Sequence, residues 1–223
     1  MPPKPKFTRD EIIAAAFSLV REQGEGALTA RELGACLGSS ARPIFTVSSD
    51  MGELREAVRA MARAHFAAYM AAAEEYAPAF KMRGLLWVRF AQTEPELFRL
   101  LFMHGEHTAP DVDAAVRASA FGGEQDVAII MRDYHATRAQ AEHLFHQLWV
   151  YTYGLCVLCA TGVCSFSEPE LAARLGEIFR GMTHVLTSGG SGFASVQPVL
   201  IGEPGSETVR DQLPDFAAPT EKC

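Results

Sequence analysis

Residues 29–46, TARELGACLGSSARPIFT, decide the fold. Thr29 stands three residues before Glu32, the S/T-x-x-E pattern in which a hydroxyl and a carboxylate cap the start of a helix. Leu33 and Leu37 then share one helical face, and Gly38 marks the end of that helix. Ser39 or Ser40 can cap a second short helix. Pro43 is tolerated there because in a first turn its missing N–H would have had no intrahelical partner. Ile44 turns inward, which leaves the small or polar Ser39, Ser40, Ala41, Arg42 and Thr46 on the outer face. The spacing predicts two short helices around a tight turn, with an outer surface that can approach a nucleic-acid groove closely.

Upstream, Thr8 opens a helix with a second capping pattern, TRDE, and Ile12, Ile13, Ala16, Phe17 and Val20 follow helical spacing until GEG at 24–26. Residues 1–49 thus read as a three-helix unit carrying a short basic arm with Lys4 and Lys6. Downstream, Asp50 begins a third pattern, DMGE, and a long helix through Leu54, Val58, Met61, Phe66 and Tyr69 to Tyr76. Pro78 starts a new segment, and Pro95 and Glu96 open a compact amphipathic helix, EPELFRLLFM, that stops at His104 and Gly105. A helix from Pro110 to Phe121 and another from Glu124 to Tyr134 flank the glycines at 122 and 123. Thr137 with Gln140 opens a long helix closed by Gly162; Ser167, Pro169 and Glu170 start a last one through Leu171, Leu175, Ile178, Phe179, Met182 and Leu186. No stretch alternates with period two for long enough to argue a sheet, so the expected class is all-α. Residues 50–188 form its α-helical body, and 189–223, rich in Gly, Ser and Pro, are expected to be a flexible tail.

The totals narrow the functions. A chain of 223 residues with 48% hydrophobic content has ample material for a core. Its net charge of −7 excludes a protein that coats itself in nucleic acid, so any such contact is local. Residues 1–49 carry six Lys/Arg against five Asp/Glu, whereas 61–223 carry 12 against 19. The acidity lies away from the first unit. Five cysteines, an odd number, and no signal-peptide pattern lead to an expectation of free thiols in a reducing cytoplasm. The one long apolar run, Leu148 to Cys164, falls short of the roughly 20 residues of a membrane span, so no membrane partner is expected.

In the body, Met61, Phe66, Tyr69, Trp87, Phe90, Phe98, Phe102, Met103, Phe121, Met131, Trp149 and Tyr153 are bulky or soft side chains at helical spacing. For any one of them a core position is the ordinary reading, but the set is richer than a small core needs. It suggests an apolar pocket for a small molecule. Cys156, Cys159 and Cys164, and the histidine pairs 104/107 and 143/146, are weak metal signals, because cysteine in an apolar helix acts as a small hydrophobe. No metal and no cofactor are expected. Neither a phosphate-binding glycine loop nor a nucleophile elbow is present, and the expected function is not enzymatic.

The stretch IIAAAFSLVREQGEGALTARELGACLGSSARPIFTVSSDMGELREAV, with the shorter EPELFRLLF and LWVYTYGL, resembles the TetR/AcrR family of transcriptional regulators, the latter two segments being similar to its subgroup with a Trp-His-Gly effector motif. The chain departs from the family pattern at Ser48, Met51 and Tyr153. The resemblance implies a helix-turn-helix domain and a ligand-binding, dimerising body. It also implies a homodimeric repressor released from palindromic double-stranded operator DNA by a small-molecule effector. Lys4, Lys6, Thr29, Ser39, Ser40, Arg42, Pro43, Phe45 and Thr46 are then the DNA-contacting set, with Arg42 placed to read a guanine edge. The second reading, from Ser48, Met51 and the weak local charge, is an α-helical small-molecule or thiol-dependent binding protein that no longer reads specific DNA.

Overall fold

A computed structural model describes residues 6–46, 50–103, 109–118 and 123–187 of the chain. Lys4, Ser48, His104, His107, Phe121 and the 189–223 tail lie outside the described residues. All regular elements among the described residues are helical, as the sequence periodicity indicates: α1 (Arg9–Gln23), α2 (Ala30–Cys36), α3 (Met51–Ala71), α4 (Ala79–Thr93), α5 (Pro95–Phe98), α6 (Val112–Ala118), α7 (Gly123–Tyr134), α8 (Arg138–Ala160) and α9 (Glu168–Thr187).

The caps explain most boundaries. At α1 the Thr8 hydroxyl accepts the Glu11 N–H at 3.2 Å and the Glu11 carboxylate accepts the Thr8 N–H at 2.7 Å, closing both halves of the box. Thr137 and Gln140 do the same at α8, and Ser167 with Glu170 at α9. Such a cap contributes about 1 kcal/mol. At α2 the box is half-formed: Thr29 Oγ1 accepts from Glu32 N–H at 3.2 Å, but the Thr29 N–H is already taken by the Ala27 carbonyl at 2.8 Å.

Three expectations need correction. Among the described residues the second short helix expected after Gly38 is not an α-helix; they hold a single 3₁₀ turn, Ile44–Thr46. Pro43 explains part of this, since a proline disfavours the helical conformation at the residue before it, here Arg42. Thr46 explains more: its hydroxyl donates to the Pro43 carbonyl at 2.6 Å, a local bond that competes with helix continuation. The long helix after Asp50 ends earlier than Tyr76, at Ala71, and tightens into a 3₁₀ segment Ala72–Glu75. Cys36 is disulfide-bonded, against the expectation of free thiols throughout; Cys156, Cys159 and Cys164 are free.

One apolar cluster runs without a break from α1 and α2 (Ile12, Phe17, Val20, Leu33) and Ile44 through α3 (Leu54, Val58, Phe66) into α4, α5, α8 and α9. A second cluster, with Val127, Ile130, Leu144, Phe145 and Phe179, fills the far end between α7, α8 and α9. α3 is therefore the strut of the molecule. Its first half closes the N-terminal unit and its second half walls the body. At the joint, the end of α1 sits hard against α5: a Cβ added to Gly24, whose φ is +83°, would lie 2.7 Å from Glu96 Oε2. No helix among the described residues is long and apolar enough to cross a membrane.

Candidate functional site

Residues 39–46 are presented by a turn seated on α2. Gly38, at φ +59°, donates to the Ala35 carbonyl at 3.0 Å, and the Ser39 N–H reaches back to the Gly34 carbonyl at 2.8 Å. The chain then passes directly over Gly34, where a Cβ would meet Ala41 N and Ser40 C at 3.0 Å and Ser39 O at 3.1 Å. A side chain at 34 would need the turn to give by a few tenths of an ångström. Ile44, 1% exposed, pins the apex to the core. This leaves Ser40, Arg42 and Thr46 exposed and Phe45 half-exposed at 50%, while Ser39 and Pro43 are half-buried.

Of the other residues singled out from sequence, Thr29 is exposed but spends its hydroxyl on the α2 cap, and Lys6 lies over the Phe7 ring at 5.2 Å. Arg31, which the sequence pattern does not mark, is also exposed on the first turn of α2. Most other cations nearby are engaged: Arg9 with Glu53 at 2.8 Å, Arg59 with Glu25 and Glu56, and Arg21 with Glu94. Positive charge therefore concentrates on few exposed side chains.

The aromatic set of the body is brought together only in part. Phe66 meets Phe90 edge-on at 4.9 Å and Phe102 at 5.2 Å, Trp87 packs on Trp149 at 5.5 Å, and Trp149 stacks on Tyr153 at 5.0 Å and 11°. Tyr153 donates to the Phe102 carbonyl at 3.0 Å. A cavity of about 50 Å³ lies beside this array, lined by Phe66, Trp87 and Trp149 among the expected residues. Phe90 and Phe98 are wholly buried, and Tyr69 nearly so, and none of the three lines the cavity. Met61 and Met103 point to solvent at 39% and 38% exposure, Met61 because it lies off the Val58–Ala62–Phe66 face of α3. Met131 packs at the edge of the second cluster instead.

Sequence reasoning missed the polar part of the cavity. Arg83 on α4 and Asp126 on α7 line it and form a buried bidentate pair, Nε to Oδ1 and Nη2 to Oδ2 at 3.2 Å, with side chains 8% and 9% exposed. Burial pushes the Asp126 carboxyl above its ordinary value even though Arg83 pulls the other way. The Trp87 Nε1, also enclosed, meets no acceptor, and the buried Thr152 completes the polar margin. The missed signal was position: Arg83 falls between Ala79 and Leu86 on the apolar stripe of α4, and Asp126 one turn before Ile130 on that of α7.

Two of the three free thiols among the described residues carry little reactivity. Burial pushes the Cys156 thiol well above its ordinary value and that of Cys159 up to about 11, so thiolate is scarce at neutral pH. His146 pairs with Asp113 at 2.9 Å, and among the described residues no group of three or more His, Cys, Asp or Glu is placed to hold a metal ion. Neither protein-family models nor curated protein sequences yield a match to this chain.

Proposed function

We propose that the protein is a homodimeric, effector-responsive transcriptional regulator of the TetR/AcrR type, a repressor released from a palindromic operator by a small molecule in the cytoplasm. The observation that carries this reading is the apex of residues 40–46, pinned by Ile44 and presented by Gly34, which turns Arg42, Ser40, Thr46 and Phe45 outward from a compact α1–α2–α3 unit. Arg42 supplies the guanidinium fork for a guanine edge, Ser40 and Thr46 the hydroxyls for phosphate, and Phe45 an apolar surface for a thymine methyl.

One such unit makes few contacts, so a second copy is needed. The outer side of α8 supports this: Val150 and Leu158 are 45% and 38% exposed, and Gly154 between them leaves open space on the same face. The effector enters the cavity beside Phe66, Trp87 and Trp149. At about 50 Å³ it holds only a few waters, so a ligand selects a widened arrangement rather than filling the closed one. α3 then carries the change, because Phe66 and Met70 wall the cavity while Leu54, roughly 18 Å along the helix from Phe66, packs in the N-terminal unit.

One observation favours the second reading, an α-helical small-molecule binding protein without specific DNA recognition: a lone 3₁₀ turn stands where a reading helix was expected. The suppressed thiols of Cys156 and Cys159 weigh against its thiol-dependent form. Gel retardation with DNA from upstream of the coding region separates the two. A salt-sensitive complex lost in Arg42→Ala supports the regulator; no retardation at low salt with any genomic fragment refutes it.

A further inference from the structure

A larger cavity lies elsewhere, between α4 and the start of α9. It measures about 290 Å³, against about 50 Å³ beside the tryptophans. Leu85, Leu86 and Leu171 give it apolar walls; Arg89, Gln92 and Glu168 are among its polar ones. Gln92 is already committed, donating to the Phe166 carbonyl at 3.1 Å. Arg89 is different. Its Nη1 is shut off from water without an acceptor in hydrogen-bond alignment, although Glu168 Oε1 lies 3.3 Å away and balances the charge. An enclosed donor that faces an acceptor without alignment is costly, and an acceptor delivered into the cavity relieves that cost.

We propose that this cleft binds a small monocarboxylate with an apolar body. The carboxylate displaces Glu168 from the Arg89 guanidinium, and the body lies against Leu85, Leu86 and Leu171. Arg89 suits a carboxylate because its planar fork donates two parallel bonds to two oxygens. Glu168 is the exchangeable partner: its side chain is 41% exposed, against 28% for Arg89, so it turns to water with little desolvation to reverse. A phosphate ester fits less well, since a single guanidinium beside Glu168 does not balance two negative charges. The volume is at the lower end of ordinary small-molecule pockets, which suits one ring or a short chain. This site is separate from the tryptophan cavity and stands whether or not the protein reads DNA.

Titration calorimetry of the full chain at neutral pH, with benzoate and hexanoate as probes and benzamide as the uncharged isostere, tests it. One carboxylate is expected to bind with benzamide at least about tenfold weaker, Arg89→Gln to weaken that carboxylate by about tenfold or more, and Glu168→Gln to tighten it. Failure of both carboxylates to bind at about 10 mM overturns the proposal. So does equal affinity for benzamide, or binding unchanged in a folded Arg89→Gln protein. Should Arg89→Gln not fold, Glu168→Gln decides: affinity that fails to rise refutes the exchange of partners.

Discussion

Replacing Arg83 with methionine leaves the Asp126 carboxylate enclosed without its cation, and replacing Asp126 with leucine strands the guanidinium in turn. Both side chains are under a tenth exposed and are each other's bidentate partner. Breaking a buried pair from one side costs about 3–5 kcal/mol, because the remaining charge keeps its desolvation penalty and loses its compensation. In a protein of this size that lowers the melting temperature by roughly 6–20 °C. The double change Arg83→Met/Asp126→Leu removes both charges, and its expected stability is near or above that of the parent. Acid separates the two single changes. Burial already raises the Asp126 carboxyl in the folded protein, and a group whose folded pKa is raised contributes stability that is full below its unfolded pKa and lost as pH rises through the folded one. Without Arg83 that rise grows, so the Arg83→Met penalty shrinks as pH falls from about 7 to about 5, whereas the Asp126→Leu penalty does not shrink, because the parent keeps its raised carboxyl and the variant has none. Urea melts of the four proteins at both pH values give the full cycle. A single change costing under about 1 kcal/mol, or a double change as damaging as the worse single one, refutes the reading of this pair as a buried, mutually dependent ion pair.

Two other perturbations bear on the joint and the turn. Burial raises the Glu94 carboxyl, but His65, 3.8 Å away, and the hydrogen-bonded Arg21 outweigh this and hold it below the ordinary 4.5. Its stabilisation is thus complete above that value and lost as pH falls through the folded pKa. Glu94→Gln is expected to flatten the acid limb of the stability curve below about pH 4.5, and curves that stay parallel to the parent's contradict this. At Gly34, an alanine gains about 1 kcal/mol of helix propensity but sets its Cβ 3.0 Å from the backbone of Ser40 and Ala41. The turn must shift, so Gly34→Ala is expected to melt within about 1 kcal/mol of the parent while its DNA affinity falls about tenfold; equal affinity in a binding titration shows that the turn does not present the contacts.

Local signals were legible in the sequence and long-range ones were not. Thr8, Thr29, Asp50, Thr137 and Ser167 each start a helix because a cap is settled by bonds three residues apart. The glycines at 24, 38 and 162 end or follow helices at positive φ for an equally local reason. The stretch after Gly38 was misread because its caps and apolar spacing suit a helix, whereas Pro43 and the Thr46 hydroxyl favour a turn seated on Gly34. The candidate pocket was half legible. Phe66, Trp87 and Trp149 stood out as aromatics, but which of the set faces a cavity depends on how α3, α4 and α8 cross. Arg83 and Asp126, 43 residues apart, are read singly as surface charges until packing buries them together. The same holds for Arg21 and Glu94, 73 apart.

The regulator reading stands most directly on what the exposed 40–46 turn does to DNA. Enrichment of a random duplex library on the purified protein at low salt, repeated with Arg42→Ala, measures it. The expected result is a two-fold symmetric sequence with half-sites about one helical turn apart, binding that weakens steeply with added salt, and a loss of about 1–3 kcal/mol in Arg42→Ala. A pool that stays random through selection, or an enriched sequence bound equally well by Arg42→Ala, contradicts it.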